Sequence, residues 1–167
     1  MAGITHRTFV SYIDRTREYY AAQGYERPYV WARHTDAPFA PLAKPLAQCR
    51  AALITTASPW REAKPVDGVL RGSKRVWSGE TAVPPERLYT DDLAWDKQAT
   101  HTRDVESFLP IARLKEHVAA GRIGSIAPRF HGVPTDYSQR RTIEEDAPQI
   151  LARCREDAVD VALLVPL

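Results

Sequence analysis

Residues 160–167 read DVALLVPL. The stretch is apolar at almost every position rather than at alternate ones, which is the pattern of a short strand wholly buried inside a parallel sheet covered on both faces. Directly upstream, residues 140–157 read RRTIEEDAPQILARCRED and carry a helical pattern. Two capping-box starts are available there, Thr142 with Glu145 and Asp146 with Gln149, and Pro148 favours the later because it then falls in the first turn. Glu144, Glu145 and Asp146 near the start, with Arg153 and Arg155 near the end, complement the helix dipole. Before the helix, residues 123–132 (IGSIAPRFHG) read as a short strand leading into a turn. Strand, helix and strand in this order imply a right-handed crossover and parallel pairing. The expected fold is therefore a single three-layer α/β domain with a small, mainly parallel sheet.

The rest of the chain fits around that unit. Residues 50–59, RAALITTASP, are an apolar run that ends in small hydroxyl residues and then a breaker. This predicts a first strand with Thr55, Thr56 and Ser58 at its carboxyl end. Residues 110–121, PIARLKEHVAAG, predict a helix: Pro110 suits the first turn, Ile111, Leu114 and Val118 form a stripe, and Gly121 stops it. His117 falls off the stripe. Residues 60–85 are expected to form a long loop with a short strand near Val76. At the start, Phe9, Ile13, Thr16 and Tyr20 share one face of a helix over residues 8–22, which Gly24 terminates. Prolines 28, 38, 41 and 45 then make an extended arm. The expected organisation is one domain, with the helix and Pro-rich arm over about residues 1–48 and the core over about 49–167.

A chain of 167 residues that is 44% hydrophobic can bury a real core, and a formal charge of +2 gives no broad basic surface for nucleic acid. No apolar run approaches the roughly 20 residues that span a bilayer, so neither a membrane nor a nucleic acid is expected as partner and the location expected is cytoplasmic. Cys49 and Cys154 each lie in or beside a core element, which predicts two buried thiols rather than a disulfide or metal site. His34, His101, His117 and His131 lack ligand spacing, so no metal is expected. Residues 55–62, TTASPWRE, have neither glycine pattern of a nucleotide loop, so no cofactor is expected.

Residues 127–141, APRFHGVPTDYSQRR, supply a candidate site. Arg129, His131, Asp136 and Tyr137 follow a strand and would share an edge with Thr55 and Ser58. Arg129 has the geometry to hold a carboxylate and His131 the chemistry to move a proton. The competing reading is a structural turn, with Arg129 in a salt bridge and His131 capping a helix. Within residues 89–108, Asp96 and His101 are weaker candidates. Their neighbours Asp91, Asp92 and Asp104 lack the order of a calcium loop, and a solvated loop with capping aspartates is the plainer reading.

Four blocks together resemble a known family: IDRTREYYAAQGY (13–25), PFAPLAKPLAQCRAALITTA (38–57), DVESFLPIARLKEHVAAGRIGSIAPRFHG (104–132) and EEDAPQILARCREDAVDVALLVP (144–166). In the same order they are similar to the glycine/sarcosine/betaine reductase selenoprotein B family, which includes the D-proline reductase subunit. The similarity spans nearly the whole chain. It implies reductive cleavage of a carbon–nitrogen bond in a small amino-acid-like substrate by a selenocysteine or cysteine. In that family the strand resembling residues 159–166 runs on into the segment carrying that residue, and neither Cys49 nor Cys154 matches its position. Two readings follow. The chain is a subunit or minimal form whose redox group comes from a partner protein, or it is a noncatalytic small-molecule-binding or assembly module. A cofactor-free enzyme using His131 or His101 is a third. A small sheet with exposed edges also predicts a homo-oligomer.

Overall fold

A computed structural model describes residues 12–25, 35–36, 39–59, 75–90, 101–134 and 138–167. The chain divides into two compact units, Met1–Pro38 and Phe39–Leu167, so the boundary falls inside the Pro-rich stretch. In the first unit, α1 (Tyr12–Ala22) ends where Gly24 takes a φ of +83°, a left-handed conformation open to glycine. Tyr20 and Tyr25 then meet edge to face at 5.5 Å. Phe9, expected on one face of this helix, lies outside the described residues.

The second unit is built on β1 (Arg50–Thr55). Along Ala51–Thr55 one edge of β1 pairs in parallel with β5 (Val161–Val165). A strand has two edges, so β3 (Ser125–Ile126) and β4 (Arg129–Gly132), both parallel to β1, share the other. They act as one strand broken by a bulge: from Ala51 to Ile54 is three residues, and between their partners Ile126 and His131 it is five. Pro128 sits in the bulge, where a missing N–H costs nothing, and its carbonyl accepts from Thr81 N–H at 2.8 Å. Outside β4 runs β2 (Trp77–Glu80), the sheet's antiparallel strand. The expected α/β fold with a mainly parallel sheet is what the chain forms.

Side chains of β1 alternate between two cores. Leu53 joins Phe130, Leu88, Phe108 and the buried stripe Ile111 and Leu114 of α2 (Ile111–Ala119). Ala52 and partly buried Ile54 face the other way, toward Ile150 and Cys154 of α4 (Ala147–Glu156). One helix layer therefore lies on each face of the sheet. The Glu106 carboxylate caps α2, accepting from Ala112 N–H at 2.9 Å, because Pro110 at the N-cap has no side chain to do so.

Three expectations need correction. The helix leading to β5 starts at neither Thr142 nor Asp146. Ser138 caps it, accepting from Arg141 N–H at 3.3 Å, and it runs through α3 (Gln139–Arg141), a π-turn (Thr142–Asp146) and α4. Pro148 is the physical reason for the π-turn: it can neither donate to nor tolerate the carbonyl four residues back, and a wider turn absorbs it. Residues 129–132 form a strand, not a turn. And β5 is not wholly buried: Leu163 is 46% and Leu164 69% exposed, because among the described residues nothing pairs with its outer edge.

Two glycines are fixed by aromatic neighbours. In the β2–β4 pairing Trp77 lies opposite Gly132 and Phe130 opposite Gly79, and a Cβ on either glycine would run into the ring facing it. The two rings meet edge to face at 5.4 Å. Gly132→Ala is expected to lower unfolding free energy by about 1–3 kcal/mol, the usual cost of overpacking, while Leu164→Ala changes it by less than about 0.5 kcal/mol. Urea denaturation of the two variants checks this, and equal losses would contradict the packing described.

Candidate functional site

The direction of connection reverses at β1. From β1 the chain crosses through α2 to β3 and β4 on one side, then returns through α4 to β5 on the other, with the two helices on opposite faces. In open α/β sheets the crevice at such a switch point, outside the carboxyl ends of the strands, is where ligands bind. Here the switch falls between the ends of β1 and β5, where Thr55 is in register with both Gly132 and Val165.

Hydroxyl side chains build this edge. Buried Thr55 accepts from Ala57 N–H at 3.2 Å and so closes the strand end. Ser58, also buried, is held by paired backbone hydrogen bonds with Tyr89 at 2.7 and 2.8 Å. Between them half-buried Thr56 accepts from Leu167 N–H at 2.8 Å and donates to the Leu167 backbone oxygen at 3.2 Å. Thr56 was not among the site residues expected from sequence. Its place follows from strand alternation: Thr55 turns into the α2 core, and the next hydroxyl emerges at the edge.

Arg129 and His131 are positioned elsewhere. Arg129 opens β4, at the amino end of the parallel strands, about 10 Å along the strand from Gly132. Its guanidinium grips Asp157 with two hydrogen bonds of 2.8 and 2.9 Å and takes Glu156 at 2.9 Å. Those bonds hold Asp157 below the usual carboxylate range and raise Arg129 further above its own. Arg50 adds a 2.7 Å bond to the Asp157 carbonyl, so the cluster locks α4 and the entry to β5 onto the amino end of the sheet.

His131 is fully buried. It is paired with Ile54 in register, which puts it on the α4 face of the sheet, opposite to Thr55. Its Nδ1 meets Ser78 Oγ at 2.9 Å, and Ser78 Oγ accepts from Arg153 at 2.8 Å. Nε2 finds no hydrogen-bond partner among the described residues. Burial first, then the nearby Arg129 and Arg153 charges, push the imidazole below its ordinary value of 6.5, with Asp157 and Glu156 opposing weakly. It is a neutral core histidine without access to a ligand.

Of the other candidates, His101 is exposed and its Nδ1 takes only a 3.4 Å contact from Arg103 N–H. Asp96, Asp136 and Tyr137 lie outside the described residues. Both cysteines are free and buried, as expected. Cys49 donates to the carbonyls of Lys44 and Pro45 at 3.5 and 3.4 Å, and burial pushes the Cys154 thiol up. Burial disfavours the thiolate of Cys154. Among the described residues there is no cluster of three metal-ligating side chains and no helix long and apolar enough to cross a membrane. No protein-family model matches the chain, and neither the curated proteins nor the solved structures contain a match.

The two ionisable centres both lose stability on acidification, in successive pH windows. His131 is neutral in the fold, so stability is lost as pH falls below 6.5, where the unfolded chain takes up the proton and the fold does not. Asp157, held low, adds stability above its unfolded value of 3.8 that is lost as pH falls through its folded value. Denaturation between pH 7.5 and 5 is expected to show a slope for the native chain that flattens in His131→Gln. A slope unchanged by that substitution would show that another group carries it.

Proposed function

We propose that residues 39–167 are the substrate-holding α/β module of an amino-acid reductase system similar to the selenoprotein B and D-proline reductase family. The attacking thiolate or selenolate comes from outside residues 1–167, on a partner protein. The carbon–nitrogen bond to be cleaved belongs to a small amino-acid-like molecule such as glycine, sarcosine, betaine or D-proline, held at the hydroxyl-lined end of β1.

One observation supports this reading: half-buried Thr56 emerges at the switch-point edge between buried Thr55 and Ser58, and neither cysteine is part of it. Small hydroxyls can hold a carboxylate or ammonium, but cleavage needs a strong nucleophile and two electrons. Cys49 is sealed under its own carbonyl contacts and Cys154 is a protonated thiol beneath α4. Two free thiols fit a reduced, cytoplasmic setting. The second reading, a module that binds without chemistry, is favoured by the occupation of Arg129 by Asp157 and Glu156, which removes the one arginine expected to grip a substrate.

Amide NMR of the isolated chain, titrated separately with the four amino-acid probes, tests the proposal. At least one probe is expected to move the amides of residues 55–58 and of Val165 and Leu167. Thr56→Val is expected to weaken that probe about tenfold, the loss of one charge-assisted hydrogen bond. The isolated chain with a dithiol reductant is expected to cleave no carbon–nitrogen bond, giving neither free amine from the open-chain probes nor a ring-opened product from D-proline. No binding by any probe, or turnover by the chain alone, would contradict it.

A further inference from the structure

Where the parallel strands begin, at the end of the sheet opposite Thr56, the bulge between β3 and β4 leaves a second hollow. Ile126 and His131 are five residues apart where β1 spends three, and the surplus backbone at Ala127 and Pro128 meets the turn after β2: the Pro128 carbonyl accepts from Thr81 N–H at 2.8 Å. Bulges recur beside functional sites because they interrupt pairing and re-aim side chains. α2 passes alongside with Lys115 and Val118. Between helix, bulge and turn lies a hollow of ≈ 330 Å³, with Val118, Ile126, Ala127 and Pro128 as its apolar wall.

Three polar side chains, Thr81, Ser125 and Lys115, share this hollow. Thr81 is 6% exposed, and its Oγ1 is itself buried and has no hydrogen-bond partner among the described residues. A buried hydroxyl left in that state destabilises a fold. Rotation about χ1 exchanges its hydroxyl and methyl among staggered positions, so Thr81, as part of the wall, can turn its oxygen to a ligand that offers a partner. Ser125 Oγ accepts from Arg50 Nε at 3.4 Å, which leaves its own proton to give. Lys115 is exposed and makes no ion pair among the described residues, and no carboxylate is among the described lining. Two hydroxyl donors and an ammonium beside an apolar wall complement a carboxylate on a short apolar body. A cation of the same shape meets the like charge of Lys115.

We infer that this hollow binds a small carboxylate with a short apolar chain, its carboxylate held by Lys115, Ser125 and Thr81 and its chain laid on Val118, Ile126 and Pro128. The site is separate from the hydroxyl edge of β1 and does not rest on the reductase reading. A hollow near the lower bound of about 300 Å³ for small-molecule sites holds such a ligand in the millimolar range.

Amide NMR of the full chain, titrated with butyrate, tests the inference. Butylamine serves as the control of opposite charge and inorganic phosphate as the anion without an apolar chain. Butyrate is expected to move the amides of Thr81, Ala82, Ser125, Ile126 and Ala127, and both controls to bind about tenfold more weakly. Thr81→Val is expected to weaken butyrate about tenfold, the loss of one hydrogen bond to a charged group, with the melting temperature unchanged or raised because valine fills the same space without the unpartnered hydroxyl. Lys115→Met is expected to weaken it about threefold, since an exposed ammonium contributes little to a single contact. No movement of these amides by butyrate, a control that binds as well as butyrate, or native affinity in either variant overturns the inference. So does a lowered melting temperature in Thr81→Val, because the hydroxyl would then serve the fold.

Discussion

The body of this protein depends on β1 having no free edge and no free face. Its six residues pair with β5 on one side and with the bulged β3 and β4 on the other, while Leu53 and Ala52 anchor opposite cores. With both edges taken, the chain cannot slip register without turning Leu53 out of one core and Ala52 out of the other. The positions of Thr55, Thr56 and Ser58 follow from that, because they are where the fixed strand ends.

The two ends of the sheet have separate tasks. At the amino end charge does the fastening: Arg129, Arg50 and Asp157 tie α4 to the sheet, and Lys44 meets Asp160 at 2.8 Å where the chain enters β5. At the carboxyl end, among the described residues, the hydrogen bonds of Thr55 and Thr56 are made between hydroxyls and backbone. His131 belongs to neither end. It is a packing residue that links β4 to β2 and α4 through Ser78 and Arg153.

Much of the fold was legible in sequence because it rests on long, regular patterns: the apolar run of β1, the Ile111–Leu114 stripe, and a helix feeding an apolar strand. What was not legible depends on single positions. Whether Thr55 or Thr56 emerges, and whether His131 faces the edge or the α4 core, changes with one residue of register. Ser138 was hidden as a cap by the more conventional Thr142 and Asp146, and Pro148 marked a π-turn rather than a helix start. The apolar pattern of β5 predicts burial on both faces, whereas Leu163 and Leu164 are exposed, because apolar composition alone does not supply the layers that would cover them.

The most direct measurement is alkylation of the native protein at neutral pH under reducing conditions, with peptide mapping and a parallel assay of reductive carbon–nitrogen cleavage, read as free amine from glycine, sarcosine and betaine and as the ring-opened amino acid from D-proline. The account predicts that Cys49 and Cys154 stay unlabelled while the native assembly loses cleavage through modification of a residue outside positions 1–167. Labelling of Cys154 or Cys49 in step with loss of cleavage would contradict it, because the nucleophile would then lie within the chain described.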